Sequence, residues 1–305
     1  YVNDIGHIAR RIGDRVTILR NGELVGTRFV SETTKETLIK MMVGREIVER
    51  NERAFERKPV QTKVILAVKA LRRRGVLQDI AFEVHQGEIL GIFGLVGSGR
   101  TELARAIIGA DPIDAGEIYL EQQKVQIHSP KEAIKLGICL APEDRKMQGL
   151  LLGKSVQENI ALPNLKQLRN SFILSYSKIA NYGMDFVKKL NIITPTIHQK
   201  VRFLSGGNQQ KVVLAKWLGI NSRVFIFDEP TRGIDVGAKE EMRNLIKQLA
   251  QEGRVIIMIS SDLPEIMNMS DRIIVMHNGV MTGEFSRQEA TKEKLLASSM
   301  GVTAS

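Results

Sequence analysis

Leu204-Ser205-Gly206-Gly207-Asn208-Gln209-Gln210 stands shortly before Val224-Phe225-Ile226-Phe227-Asp228-Glu229-Pro230, and the two runs read together decide the fold of this 305-residue chain. In the first run a serine, a good N-cap, precedes two glycines and a helical pattern over 208–218 that carries Val212, Ala215 and Leu218. A glycine-lined helix start is an anion site, because its free N–H groups and its dipole both favour negative charge. The second run is apolar throughout and suits a strand buried in a parallel sheet. It delivers Asp228 and Glu229 at its carboxyl end, where open α/β sheets bind ligands.

Upstream, Gly94-Leu95-Val96-Gly97-Ser98-Gly99-Arg100-Thr101 follows an apolar run at 88–93 and precedes a helical stretch at 102–108, with Leu103, Ala106 and Ile107 on one face. Strand, glycine loop and helix form the context in which such a loop cradles phosphate through inward-pointing N–H groups. Thr101 offers a hydroxyl to Mg²⁺, and Asp228 is expected to hold the ion through water. Glu229 is expected to orient or deprotonate an attacking water, as phosphoryl transfer requires. Arg100 stands where the loop pattern asks for a lysine; its planar fork binds phosphate but positions it differently. A ligand-free glycine turn and a surface acidic pair are the bland alternatives. They do not account for Pro230-Thr231 or Gly233-Ile234-Asp235 beyond the carboxylates. Two phosphate sites far apart in sequence have a simple explanation: one completes the nucleotide held by another copy of the domain.

The chain repeats itself. Asp14-Arg15-Val16-Thr17-Ile18-Leu19-Arg20-Asn21-Gly22 pairs without gaps with Asp271-Arg272-Ile273-Ile274-Val275-Met276-His277-Asn278-Gly279, 257 positions later. The same offset links Gly26 with Gly283, Thr34-Lys35-Glu36 with Thr291-Lys292-Glu293, Leu38 with Leu295 and Gly44 with Gly301. A spacing this long is that of a domain, not of a solenoid repeat. Each copy reads as strand, Asn-Gly turn, strand and short helix, since Asn-Gly tolerates the two positive φ angles of a type I′ turn. Residues 1–45 are therefore expected to be the tail of one domain, 46–62 a charged linker containing Pro59, and 63–305 a complete second copy. The start at Tyr1 fits a piece of something longer.

Bulk properties narrow the function. The lone cysteine, Cys139, lies in an apolar run and is expected in the core, and one thiol forms no internal disulfide. No apolar run reaches the roughly 18 residues of a membrane span, and no signal peptide is legible. A net charge of +10 invites a nucleic-acid reading. The basic residues are scattered, though, and aromatics do not interleave with the one tight cluster, Arg72-Arg73-Arg74, so no nucleic-acid partner is expected.

Residues 94–101, 204–210 and 227–235 resemble the Walker A, signature and Walker B/D-loop motifs of ABC transporter ATPases. With Ala141-Pro142-Glu143-Asp144-Arg145-Lys146, the wording is similar to the monosaccharide importers of the ribose, galactose and xylose type, and the match covers essentially the whole chain. That resemblance implies an α/β P-loop core with an antiparallel β subdomain and an inserted α-helical subdomain over about 143–200. It implies ATP and Mg²⁺ as ligands, membrane-spanning permease subunits as partners and, indirectly, a periplasmic sugar-binding protein. It implies a peripheral place on the cytoplasmic face of the inner membrane. The missing first ATPase domain, or a second copy, would face this one. Ser205, Gly206, Gly207 and Gln209 would close on the nucleotide of that partner, and Asp235 would belong to the D-loop.

Three positions depart from the general pattern of the family: Arg100 for the Walker A lysine, Glu143 for the Q-loop glutamine, and Ser261 for the switch histidine. A hydroxyl offers no titratable nitrogen near neutral pH. All three also resemble what the second domain of the sugar branch carries, and no aromatic in 71–78 could stack on adenine. The domain is therefore expected to bind nucleotide, hydrolyse it slowly and contribute mainly its signature. Val156, Ile160 and Leu162, then Ile179, Phe186, Val187 and Leu190, give the inserted region helical spacing. Phe172, Tyr176 and Tyr182 there are expected to pack in the core rather than line a docking groove. The competing readings are a soluble tandem ATPase of ribosomes or nucleic acid, and a nucleotide-binding regulatory module without catalysis.

Overall fold

The computed structural model describes residues 13–20, 23–33, 37, 41, 63–220 and 222–301. The chain divides into two units, Tyr1–Glu56 and Arg57–Ser305. The expected linker at 46–62, the Asn21-Gly22 turn and the repeat positions Thr34, Lys35, Glu36, Leu38 and Gly44 lie outside the described residues.

In the first unit β1 (Arg15–Arg20) and β2 (Glu23–Phe29) form an antiparallel pair. The second unit opens with β3 (Val64–Arg73), β4 (Leu77–His85) and β5 (Ile89–Gly94), followed by α1 (Arg100–Ile107). Next come β6 (Ala115–Leu120), β7 (Gln123–Val125), α2 (Pro130–Leu136) and β8 (Ile138–Ala141). Then follow α3 (Val156–Ala161), β9 (Arg169–Asn170), β10 (Ile173–Leu174), α4 (Tyr176–Lys189) and α5 (Gly206–Leu218). The chain continues through β11 (Val224–Asp228), α6 (Val236–Gln251), β12 (Val255–Ile259) and α7 (Leu263–Met269). The last elements are β13 (Arg272–His277), β14 (Val280–Ser286) and α8 (Lys292–Ser299).

The central sheet has the order β14-β13-β5-β12-β11-β8, parallel except for β14. Every residue of β5, β11 and β12 is buried, as expected for strands covered on both faces. Alternation sends Phe225 and Phe227 into one core layer, and Val224 and Ile226 into the other. The first layer also holds Val212 and Ala215 of α5; the second holds Leu103 and Ile107 of α1 together with Leu66 and Val68 of β3. The four-stranded antiparallel sheet β4-β3-β6-β7 thus closes the α1 side. β5 lies between β12 and β13, both later in the chain, so the ligand crevice falls at its carboxyl end.

The repeat holds at the level of strand pairing. Arg15 pairs with Phe29 as Arg272 pairs with Ser286, and both hairpins shift register at the same place, between Ile18 and Leu19 and between Val275 and Met276. At the β13–β14 turn Asn278 and Gly279 both have positive φ (46° and 78°), as the Asn-Gly reading requires.

Residues 143–200 contain α3 and α4 as expected, but also the β9–β10 hairpin, which helical periodicity did not show. Its strands are two residues each, too short to carry an alternation, and it turns at Ser171 with φ 56°. This corrects the core assignment of two aromatics: Phe172, at the tip of the hairpin, and Tyr176, at the first position of α4, are 92% and 82% exposed. Tyr182 does pack, edge-on to Phe186 with ring centroids 5.0 Å apart. Cys139 is buried, and burial raises its thiol pKa to about 12, so it is an inert core residue.

Candidate nucleotide site

The loop between β5 and α1 is shaped by its glycines and by the β13–β14 turn. Gly99 caps α1 with φ 96°, and a Cβ there would lie 3.1 Å from the Cα of Gly279. The Gly279 N–H donates to the Ser98 carbonyl (2.9 Å), and the Ser98 N–H to the Leu95 carbonyl (3.1 Å). The loop is pinned at its base while Val96, 96% exposed, marks its open mouth. The Ser98 hydroxyl is buried with no partner in the protein.

Arg100 and Thr101 occupy the first turn of α1 and meet the carboxylates at the end of β11. Thr101 Oγ1 donates to Asp228 Oδ2 (2.8 Å), while the other carboxylate oxygen, Oδ1, is buried and unpartnered. Burial raises the Asp228 pKa to about 6; the Thr101 hydrogen bond opposes that rise and the neighbouring Glu229 charge adds to it. A threonine hydroxyl beside a carboxylate with one idle oxygen fits Mg²⁺, which takes few protein ligands and completes its shell with phosphate and water. Among the described residues no cluster of three or more His, Cys, Asp or Glu could hold a metal ion.

Glu229 adopts φ 49°, in a region costing a non-glycine residue about 1–3 kcal/mol. Its N–H donates to the Ile259 carbonyl (2.9 Å), and its Oε1 accepts the Ser261 N–H (2.7 Å). Ser261 thus meets Glu229 through its backbone rather than its hydroxyl. Arg100 Nη1 lies 3.7 Å from the same Glu229 Oε1, and both side chains are largely buried. Burial lowers the pKa of Arg100, and the charges of Glu229, Asp228 and Glu102 work against that. The arginine that replaces the expected lysine therefore turns towards the carboxylate expected to handle water.

The other expected residues gather at the start of α5. Ser205 is exposed and caps the helix, accepting the Asn208 N–H at 3.4 Å and its side-chain amide at 2.9 Å. A Cβ on Gly207 would lie 2.6 Å from Ala238 Cβ, so only glycine lets α5 approach α6 so closely. Asp235 caps α6 by accepting the Ala238 N–H (2.9 Å). Glu143 is ion-paired with Arg232. Gln209 differs from expectation: it is 4% exposed, its Nε2 donates to the Val201 carbonyl (3.2 Å), and its Oε1 accepts from Arg145 (3.4 Å). Its amide is spent inside the fold rather than offered to a ligand. Residues 94–101, Asp228, Glu229 and Ser261 therefore converge on one crevice. Ser205 is exposed at a separate place, the start of α5, with Gly206 and the buried Gly207 behind it; Arg145 ties this turn to the Arg232 and Gly233 carbonyls, and Arg232 pairs with Glu143. Sequence reading singled out neither of those arginines; their signal is contact between distant loops, which spacing does not report.

A glycine loop between a buried strand and a helix, with a hydroxyl on an acidic strand end, defines a P-loop nucleotide-binding domain. The chain belongs to the ABC transporter family, whose profile matches residues 77–232. It is 46% identical over 290 residues to the ribose import ATP-binding protein RbsA of Bacillus licheniformis, covering 95% of this chain and 58% of that protein. It is 48% identical over 288 residues to the protein of the same name from Clostridium tetani, covering 94% and 56%. The chain thus spans little more than half the length of these relatives. Among solved structures, an ATP-binding cassette of an ABC transporter in its ADP conformation superposes with TM-score 0.64 at 24% identity, covering 77% of this chain and 96% of the other. That likeness bears on the fold alone.

Proposed function

We propose that the chain is the ATP-binding part of a subunit that couples ATP hydrolysis to monosaccharide import. The sugar-import reading rests on the 46% identity to a ribose import ATP-binding protein. Residues 63–305 form its second ATPase domain, 46–62 a linker and 1–45 the end of the first. The matched register and bulge of the two hairpins support that division. The permease subunits receive it on the cytoplasmic face of the inner membrane, and the periplasmic sugar-binding protein acts through them. Among the described residues no helix is long and apolar enough to cross a membrane.

The observation that carries the mechanism is the Arg100–Glu229 pair at 3.7 Å. Residues 94–101 cradle the phosphates, and Thr101 with Asp228 holds Mg²⁺, which when bound offsets charge on the phosphate oxygens. Glu229 is a water-handling carboxylate only while it is free to accept a proton. The Arg100 guanidinium 3.7 Å from its Oε1 and the Ser261 N–H bonded to that oxygen hold the side chain and restrict its reach, and a backbone N–H supplies no proton relay. This domain's own site therefore binds ATP and turns over slowly, whereas its exposed Ser205, backed by the half-buried Gly206 and the buried Gly207, completes the site of the first domain. Glu143 and Asp235 support the loops between the two sites.

Reconstitution of the full two-domain protein with candidate permease subunits tests this reading. Co-purification, with ATPase activity stimulated by sugar-loaded binding protein, is the expected result. ATPase activity without any permease association would favour the soluble tandem class.

A further inference from the structure

We propose that Arg145 is a positioning residue: one guanidinium fork sets the exposed start of α5 against the loop that follows Glu229. The proposal rests on the reading that Ser205, Gly206 and Gly207 serve the partner domain's site. Arg145 Nε donates to Gln209 Oε1 (3.4 Å), Nη1 to the Arg232 carbonyl (2.9 Å) and Nη2 to the Gly233 carbonyl (3.1 Å). Three acceptors on two elements are thus met by one planar group. Two of the three acceptors are held from behind. Gln209 is anchored to the Val201 carbonyl, and the Arg232 N–H donates to the Glu229 carbonyl (3.1 Å). Glu143, two residues before Arg145, takes the Arg232 side chain. The fit is close: a Cβ on Gly206 would lie 2.8 Å from Arg145 Nη2 and 2.8 Å from the Gly233 carbonyl oxygen. The glycine at 206 is required by this clamp as well as by access to phosphate.

The consequence is a bonded path from Glu229 through Arg232 and Arg145 to the first turn of α5. A displacement of the 229–233 loop moves the surface offered to the partner's nucleotide. Lysine carries the same charge on a point-like ammonium, which cannot hold the three acceptors in one plane. In the full two-domain protein, Arg145→Lys is expected to lower kcat about tenfold, since misplacing a catalytic surface costs rate more than affinity. KM for ATP and the thermal midpoint stay at the parent values, and amide exchange rises in the first turn of α5. Ser205→Arg, measured alongside, abolishes turnover. If it does, and Arg145→Lys keeps the parent kcat or loses kcat only together with its thermal midpoint, the clamp is overturned on its own. If Ser205→Arg leaves turnover intact, the shared-site reading beneath it falls instead.

Discussion

Thr101 and Asp228 show how a single hydrogen bond carries both stability and ligand binding. Among the described residues, the hydroxyl is the one group that satisfies a carboxylate whose second oxygen is buried without a partner. Thr101→Val keeps the shape and removes the donor, so the buried acid loses its compensation. We expect a loss of about 1–3 kcal/mol of unfolding free energy by denaturant titration, the cost of stranding a buried polar group. Nucleotide affinity should also lose its dependence on Mg²⁺. A variant as stable as the parent, with Mg²⁺ dependence retained, would show that Asp228 is satisfied otherwise. At this scale the sequence was legible in placement: Thr101 meets Asp228, Glu229 follows it at the strand end, and Ser205 caps α5. Gln209 was not, because an amide serves equally as a ligand group or as an internal strut, and only burial distinguishes the two.

Helix α3 begins with a reciprocal cap. The Glu158 N–H donates to Ser155 Oγ (3.3 Å), and the Ser155 N–H donates to Glu158 Oε2 (2.8 Å). That backbone bond, helped by the Ser155 hydroxyl, holds the Glu158 pKa at about 2 against an ordinary 4.5. The native state therefore binds the proton less well than the unfolded chain. The cap's contribution is complete above pH 4.5 and fades as pH falls through 2. Glu158→Gln removes the titrating partner of this box and should cost about 1 kcal/mol at pH 7 and much less near pH 2; an equal cost at both would exclude the carboxylate as its source. Lys216 of α5 shows the opposite case. It is 6% exposed, donates to the Gly149 carbonyl (2.5 Å), and burial lowers its pKa from 10.5 to about 8. Between those values the unfolded chain holds more proton, so stability rises with pH across that window, by at most about 3 kcal/mol. Lys216→Met should abolish the rise in alkaline unfolding curves; a rise that survives must come from another group. Elements were legible where apolar runs were long: β5, β11 and α5 lie within two residues of the expected spans. The β9–β10 hairpin escaped because two-residue strands carry no period, and its exposed Phe172, like Tyr176 at the start of α4, looks like core in composition alone.

On the scale of the whole molecule, the repeat was the strongest signal in the sequence and also the one that explains most. Hairpins 257 positions apart share register and bulge, so the first unit carries the pairing geometry that in the second pins the P-loop through Gly279. How the sites divide their work depended on contacts the sequence could not display. Arg100 was visible as a departure from pattern, but its approach to Glu229 emerges only when α1 and β11 are brought together. Under the proposed function, this domain's own crevice is weak and the start of its α5, with the exposed Ser205, completes the competent site of its twin. Steady-state ATP hydrolysis by the full two-domain protein, comparing Arg100→Lys with Ser205→Arg, tests that most directly. Ser205→Arg is expected to abolish turnover while Arg100→Lys changes it little. A strong change with Arg100→Lys and none with Ser205→Arg would contradict it, and would make this domain's own crevice the engine of the cycle.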